Sequence, residues 1–153
     1  MGCDMVAVST RRIALGTLAG GVVWGIWSTV INLVILAPKY AEAQQENYFR
    51  IEPRYPLFFV YWFILLFLLT FILTWLYVSV RSTLGPGPLT ALRVGLLGGF
   101  MSGFPISLTL ATWAPFSRAI PLGWMLDLWV GATLATLVSA WLYKEAAPPA
   151  AES

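Results

Sequence analysis

Asp127 is the residue best placed to do chemistry. It lies in residues 121–144, PLGWMLDLWVGATLATLVSAWLYK, where nearly everything else is apolar, small or aromatic. Gly123, Asp127, Gly131, Ala135 and Ser139 recur there at every fourth position. On a helix that spacing makes one ridge, so the carboxylate points into a seam between helices. A charge at membrane depth costs from about 2.5 kcal/mol upward and needs a partner or water. Asn32 is the expected partner: seven residues after Gly25, it shares that glycine's face. It lies roughly 8 Å from the end of its own apolar run, and Asp127 roughly 9 Å into its run from the same side. Pro105, roughly 12 Å deep, removes one backbone bond and kinks its helix. Ser107 and Thr109 follow it, so Asn32, Ser107, Thr109 and Asp127 form one expected polar cluster around the Pro105 kink. Two readings stay open: a hydrogen-bonded packing element, or a site for a proton, a cation or a small ligand.

The elements that must position these residues are four apolar runs, at about 13–37, 57–80, 89–113 and 121–143. Each exceeds the roughly 20 residues that a helix needs to cross a hydrocarbon core, and only a helix satisfies its own backbone there. The predicted fold is all-α, a single four-helix membrane domain over 1–144 in an up-down bundle. Residues 38–56 make an interfacial loop, with Tyr40, Tyr48, Phe49 and Tyr55 suited to a membrane surface, and 145–153 a flexible tail. The turns are 81–88 and 114–120. The first run is about twice the usual length of a signal-peptide core, and reads as a retained span. "LAGGVVWG" and "LLGGFMSG", then "TWLY" and "AWLY", fit two duplicated hairpins.

Composition agrees. Of 153 residues, 59% are hydrophobic and 10% charged, with eight Trp, six Tyr and nine Phe; mean hydropathy is +0.78. Soluble domains carry far more charge, and aromatic rings collect at membrane–water interfaces. A net charge of +2 argues for no nucleic-acid partner. The chain has no His, which removes the commonest metal and haem ligand and the usual general base. Its one Cys, Cys3, excludes an internal disulfide. No cofactor or metal is expected; contact with lipid or pigment stays open.

Helices in lipid associate at small residues and through interhelical hydrogen bonds. Gly16, Gly20, Gly21 and Gly25 in the first run, Gly95, Gly99 and Gly103 in the third, and Gly123 and Gly131 in the fourth are the expected packing positions. The second run has no Gly or Ala and is expected at the periphery. Arg93 lies about 200° from Gly95 and is placed to snorkel to lipid headgroups. Arg11, Arg12, Arg81 and Lys144 face one side; Lys39, Arg50, Arg54 and Arg118 face the other. The pair Arg11 and Arg12 before the first run, with Arg93 just inside the third, tips the balance toward both termini in the cytoplasm of a bacterial inner membrane.

The motif "G-x-x-x-G…W-G" at Gly16, Gly20, Trp24 and Gly25, with "D-x-x-x-G" at Asp127 and Gly131, resembles uncharacterised bacterial four-span membrane proteins of the domain-of-unknown-function type. The resemblance loosely covers residues 13–144 and implies a fold without an activity. The function expected is a non-catalytic membrane subunit or assembly protein working beside other membrane subunits. The alternative is a small oligomeric transporter or ligand-binding module using Asn32 and Asp127. Paired carboxylates and a nucleotide loop are lacking, so an enzyme is not expected.

Overall fold

The computed structural model describes residues 9–143; Cys3, Lys144 and the tail 145–153 lie outside them. The described chain is all-helical: α1 (Thr10–Thr29), a π-helical segment (Val30–Ile35), α2 (Ala37–Gln45), α3 (Phe58–Leu84), α4 (Pro88–Trp113) and α5 (Ala119–Leu142). Four helices are long and apolar enough to cross a membrane: Thr10–Ile35, Phe58–Leu84, Pro88–Trp113 and Ala119–Leu142. They form an up-down bundle in which α1 packs on α3, α3 on α4, α4 on α5 and α5 on α1. α3 and α5 also touch across the middle.

The first span is not α-helical throughout. Pro38 has no N–H to give the Val34 carbonyl, and a proline ring crowds the carbonyl four residues back. The ladder slips upstream, and the Leu36 N–H bonds to the Ile31 carbonyl at 2.9 Å. Such π turns are rare and recur at functional sites; this one carries Asn32.

Two glycine-lined seams meet on α5. Along the first, Gly16 lies against Ser139, Gly20 against Ala135, Trp24 against Gly131 and Leu36 against Gly123. The Ser139 hydroxyl crosses this seam to donate to the Gly16 carbonyl at 2.8 Å. Along the second, a Cβ at Gly95 would lie 2.7 Å from the Thr133 Cα, one at Gly99 2.7 Å from the Trp129 Cα, and one at Gly103 3.1 Å from the Leu128 Cβ. α4 runs unbroken through Pro105.

α3 departs from the expected periphery. Its outer face is exposed, but Leu66, Thr70, Leu73, Thr74, Tyr77 and Val78 are buried. The small residues that admit it belong to its neighbours: Gly21 and Gly25 receive the Phe67 and Phe63 rings, and Gly98 receives Leu73. Thr70 and Thr74 return their hydroxyls to the Leu66 and Thr70 carbonyls of α3 itself. α3 also runs to Leu84, so the turn expected over 81–88 shrinks to Gly85–Gly87. Both glycines have positive φ, 84° and 135°. Arg81 therefore sits inside the helix, buried, with its guanidinium 5.9 Å from the Tyr77 ring centre and 5.0 Å from that of Tyr143.

The loop 38–56 does not simply lie flat. α2 ends near Asn47, which takes the left-handed conformation (φ 62°) that Asn tolerates. The chain then folds back over the bundle. Phe49 packs edge-on against Phe116 at 4.8 Å and parallel to Trp124 at 6.4 Å. Tyr40 turns inward as well, while Tyr48 and Tyr55 stay exposed.

Candidate functional site

Asp127 lies roughly 12 Å into α5 from Ala119 by helix rise and is fully buried. Its Oδ2 accepts from the Ser28 hydroxyl at 2.7 Å and from the Asn32 amide at 2.8 Å. Ser28 Oγ accepts from the Trp62 indole at 3.0 Å. Asn32 Oδ1 accepts from the Tyr40 hydroxyl at 2.6 Å, and that hydroxyl accepts from the Trp124 indole at 2.6 Å. Two chains of hydrogen bonds thus end on one carboxylate oxygen. One comes from α3 through α1; the other comes from the interfacial end of the bundle through α2 and the π segment.

The direction of both chains is fixed by groups that cannot reverse. An indole N–H only donates, and a backbone carbonyl only accepts. Trp62 donates to Ser28, so the Ser28 hydroxyl is free to donate to Asp127. The Asn32 Nδ2 also donates to the Ser28 carbonyl at 2.9 Å, which settles which end of the amide faces Asp127. Tyr40 must then give its proton to Asn32 Oδ1. Trp24, fully buried, also addresses the carboxylate, but outside regular hydrogen-bond geometry, and Oδ1 takes no regular bond. Lys39 pairs with Glu42 at 2.8 Å on the exposed side of α2, away from Asp127, and the groups bonded to the Asp127 carboxylate are a hydroxyl and an amide. Asp127 is therefore held by neutral donors, without a cation.

Tyr40, at the interfacial end, is a weaker acid than an ordinary tyrosine. Burial is the main cause and the Asp127 charge adds to it, while the hydrogen bond from Trp124 works against both.

Of the expected cluster, Asn32 and Asp127 meet directly. Ser107 and Thr109 do not join them. α4 packs on the flank of α5 formed by Met125, Leu128, Trp129, Ala132 and Thr133, whereas Asp127 faces α1. Ser107 is buried without a hydrogen bond. Thr109 is exposed and donates to its own helix at Pro105. Nor does Asn32 share the Gly25 face: Gly25 looks to Phe63. The wider π winding turns Asn32 onto the row Gly16, Gly20, Trp24 and Ser28. That four-residue row is visible in the sequence and points to Trp24 and Ser28, which lie outside the expected cluster. Trp62, Tyr40 and Trp124 carry no spacing signal, only the rule that a buried indole N–H or phenol finds a partner. Arg93 is exposed and off the glycine row. No group of His, Cys, Asp or Glu able to hold a metal occurs among the described residues.

Compared with protein-family models, with curated proteins and with solved structures, the chain matches none. The geometry alone carries the functional reading.

Proposed function

We propose that this chain is a non-catalytic subunit or assembly protein of a larger membrane complex, packed through its glycine and small-residue seams. The observation that carries this is where its polar groups go. Ser28, Asn32, Tyr40, Trp62, Trp124 and Asp127 are bonded to one another, and Thr70, Thr74, Thr136 and Ser139 to backbone carbonyls. The cluster bonds and the Ser139–Gly16 bond cross between helices and brace the bundle, while the three threonines bond within their own helices. The outer face of α3, with Phe59, Leu65, Leu68, Phe71, Ile72 and Trp75 exposed, is left for lipid or the apolar helices of another subunit. The membrane is a bacterial inner membrane, with the α1 start and the α5 end on the cytoplasmic side. Gentle extraction followed by native mass measurement tests this: the chain is expected in a particle with other proteins. A particle holding only copies of this chain rejects the reading.

One observation favours a second reading, a small transporter or ligand-binding module. A buried carboxylate with no cation partner ends a polar chain that reaches the interface, and ionisable groups at membrane depth mark pathways and relays. Solute or proton flux into proteoliposomes that disappears with Asp127→Asn supports it; unchanged flux rejects it.

A further inference from the structure

We infer that α2 is a latch over Asp127, and that lifting it admits a proton from interfacial water to the carboxylate. This rests on the second reading above, the cluster as a site as well as a brace. On the interfacial side, the hydrogen-bonded route to Asp127 passes through Asn32 and then Tyr40. Tyr40 is carried by α2 and held from both sides, donating to Asn32 and accepting from Trp124. Phe49, beyond α2, closes the same end on Phe116 and Trp124.

The movable part is the π segment. It holds one residue more than α winding over the same turn, and such segments mark hinges and functional sites. Reverting it to α winding rotates everything that follows by about 100°. That carries Tyr40 off Asn32 and Trp124 in one step, and interfaces of this kind switch between discrete packings. Pro38 keeps the slipped form by withholding its N–H.

The proton goes to Oδ1, because Oδ2 already takes two donors. No other covalent bond changes. The residues placed around Asp127 are Trp24 and Ser28 from α1, Asn32 from the π segment, Tyr40 from α2 and Trp62 from α3, with Gly123 and Gly131 one turn away on α5. None is charged at neutral pH, and Tyr40 is the only titratable one, so the proton has no competitor nearby.

The test uses dicyclohexylcarbodiimide, which couples to protonated carboxyls in apolar surroundings, on the full chain in liposomes. Labelling is located by peptide mass. Tyr40→Phe removes the latch bond and is expected to label Asp127 about fivefold faster, the population gain from losing one neutral hydrogen bond. Tyr48→Phe, on the exposed part of the same segment, is expected to leave the rate unchanged. Bridging Phe49→Cys to Phe116→Cys with a thiol crosslinker in a Cys3→Ser background is expected to slow labelling below the unbridged rate. That pair keeps Tyr40, so it decides the matter if Tyr40→Phe does not fold. Equal labelling of the bridged and unbridged protein, or of Tyr40→Phe and the parent, overturns the latch. Gated labelling without flux leaves the latch and removes transport; flux with ungated labelling removes only the latch.

Discussion

At the scale of single residues, Asp127 carries the site because its neighbours have spent their donors on it. Asp127→Leu takes the acceptor from the buried Ser28 hydroxyl and from one N–H of the part-buried Asn32 amide, whose other N–H keeps the Ser28 carbonyl, and each such loss costs about 1–3 kcal/mol. Asp127→Asn keeps one acceptor oxygen. Thermal unfolding in detergent is expected to show Asp127→Leu destabilised by about 2–5 kcal/mol and Asp127→Asn by about 1 kcal/mol. Equal midpoints for the two remove the donor argument. Tyr40 gives a pH signature of its own. Its folded-state pKa is raised, so the unfolded chain releases the phenol proton first, from about pH 10. The stability that Tyr40 contributes is complete below that pH and is lost as pH rises through the higher folded value. Subtracting the tyrosinate absorbance of Tyr40→Phe from that of the parent isolates the titration, and the alkaline loss of stability is expected to be smaller in the variant.

At the scale of elements, the glycines that face α5 and those that face α3 differ in what they meet. A Cβ at Gly99 falls 2.7 Å from the Trp129 Cα and 2.8 Å from its carbonyl oxygen, which are backbone atoms that cannot rotate away. A Cβ at Gly25 falls 3.0 Å from the rim of the Phe63 ring, a side chain that can turn. Gly99→Ala is expected to cost about 1–3 kcal/mol, the range for overpacking, and Gly25→Ala less than about 1 kcal/mol. Chemical denaturation in mixed micelles ranks the two, and the reverse order would show that α1 and α3 pack more rigidly than α4 and α5. The same contrast explains how far the sequence was readable. Hydropathy placed four spans to within a few residues, because length and apolarity are what a bilayer demands. The four-residue ridge placed Asp127 in a seam, and matched depth placed Asn32 beside it. The π turn was hidden, because one proline beyond the apolar run redirects the ladder without altering composition. Ser107 and Thr109 were misassigned for a related reason: depth along a helix says nothing about which flank of the neighbouring helix receives it.

At the scale of the whole molecule, the repeated segments occupy matching places. Gly21 and Gly25 meet α3, the second helix of their own hairpin; Gly99 and Gly103 meet α5, the second helix of theirs. Gly20 and Gly98 instead approach α5 and α3, each in the other hairpin. Tyr77 and Tyr143, which end "TWLY" and "AWLY", stack on one Arg81. The matched glycines of the two hairpins thus meet corresponding helices, yet among the described residues the buried carboxylate lies in the α1–α5 seam alone. That asymmetry makes the sidedness of the bundle matter, since it sets which compartment the Tyr40 end faces. Lys39 is engaged by Glu42, while Arg50, Arg54 and Arg118 are exposed at that end. At the opposite end Arg81 is buried between tyrosines, Arg11 and Arg93 are exposed and Arg12 is half-buried. The cation bias remains small, so sidedness is best read directly. Single cysteines in a Cys3→Ser background, at exposed Ile51 in the loop and at exposed Thr83 near the α3–α4 turn, report the two ends. A membrane-impermeant thiol reagent applied to intact cells is expected to label Ile51→Cys and to reach Thr83→Cys only after lysis. Labelling of Thr83→Cys in intact cells inverts the bundle, and the latch would then draw its proton from the cytoplasm.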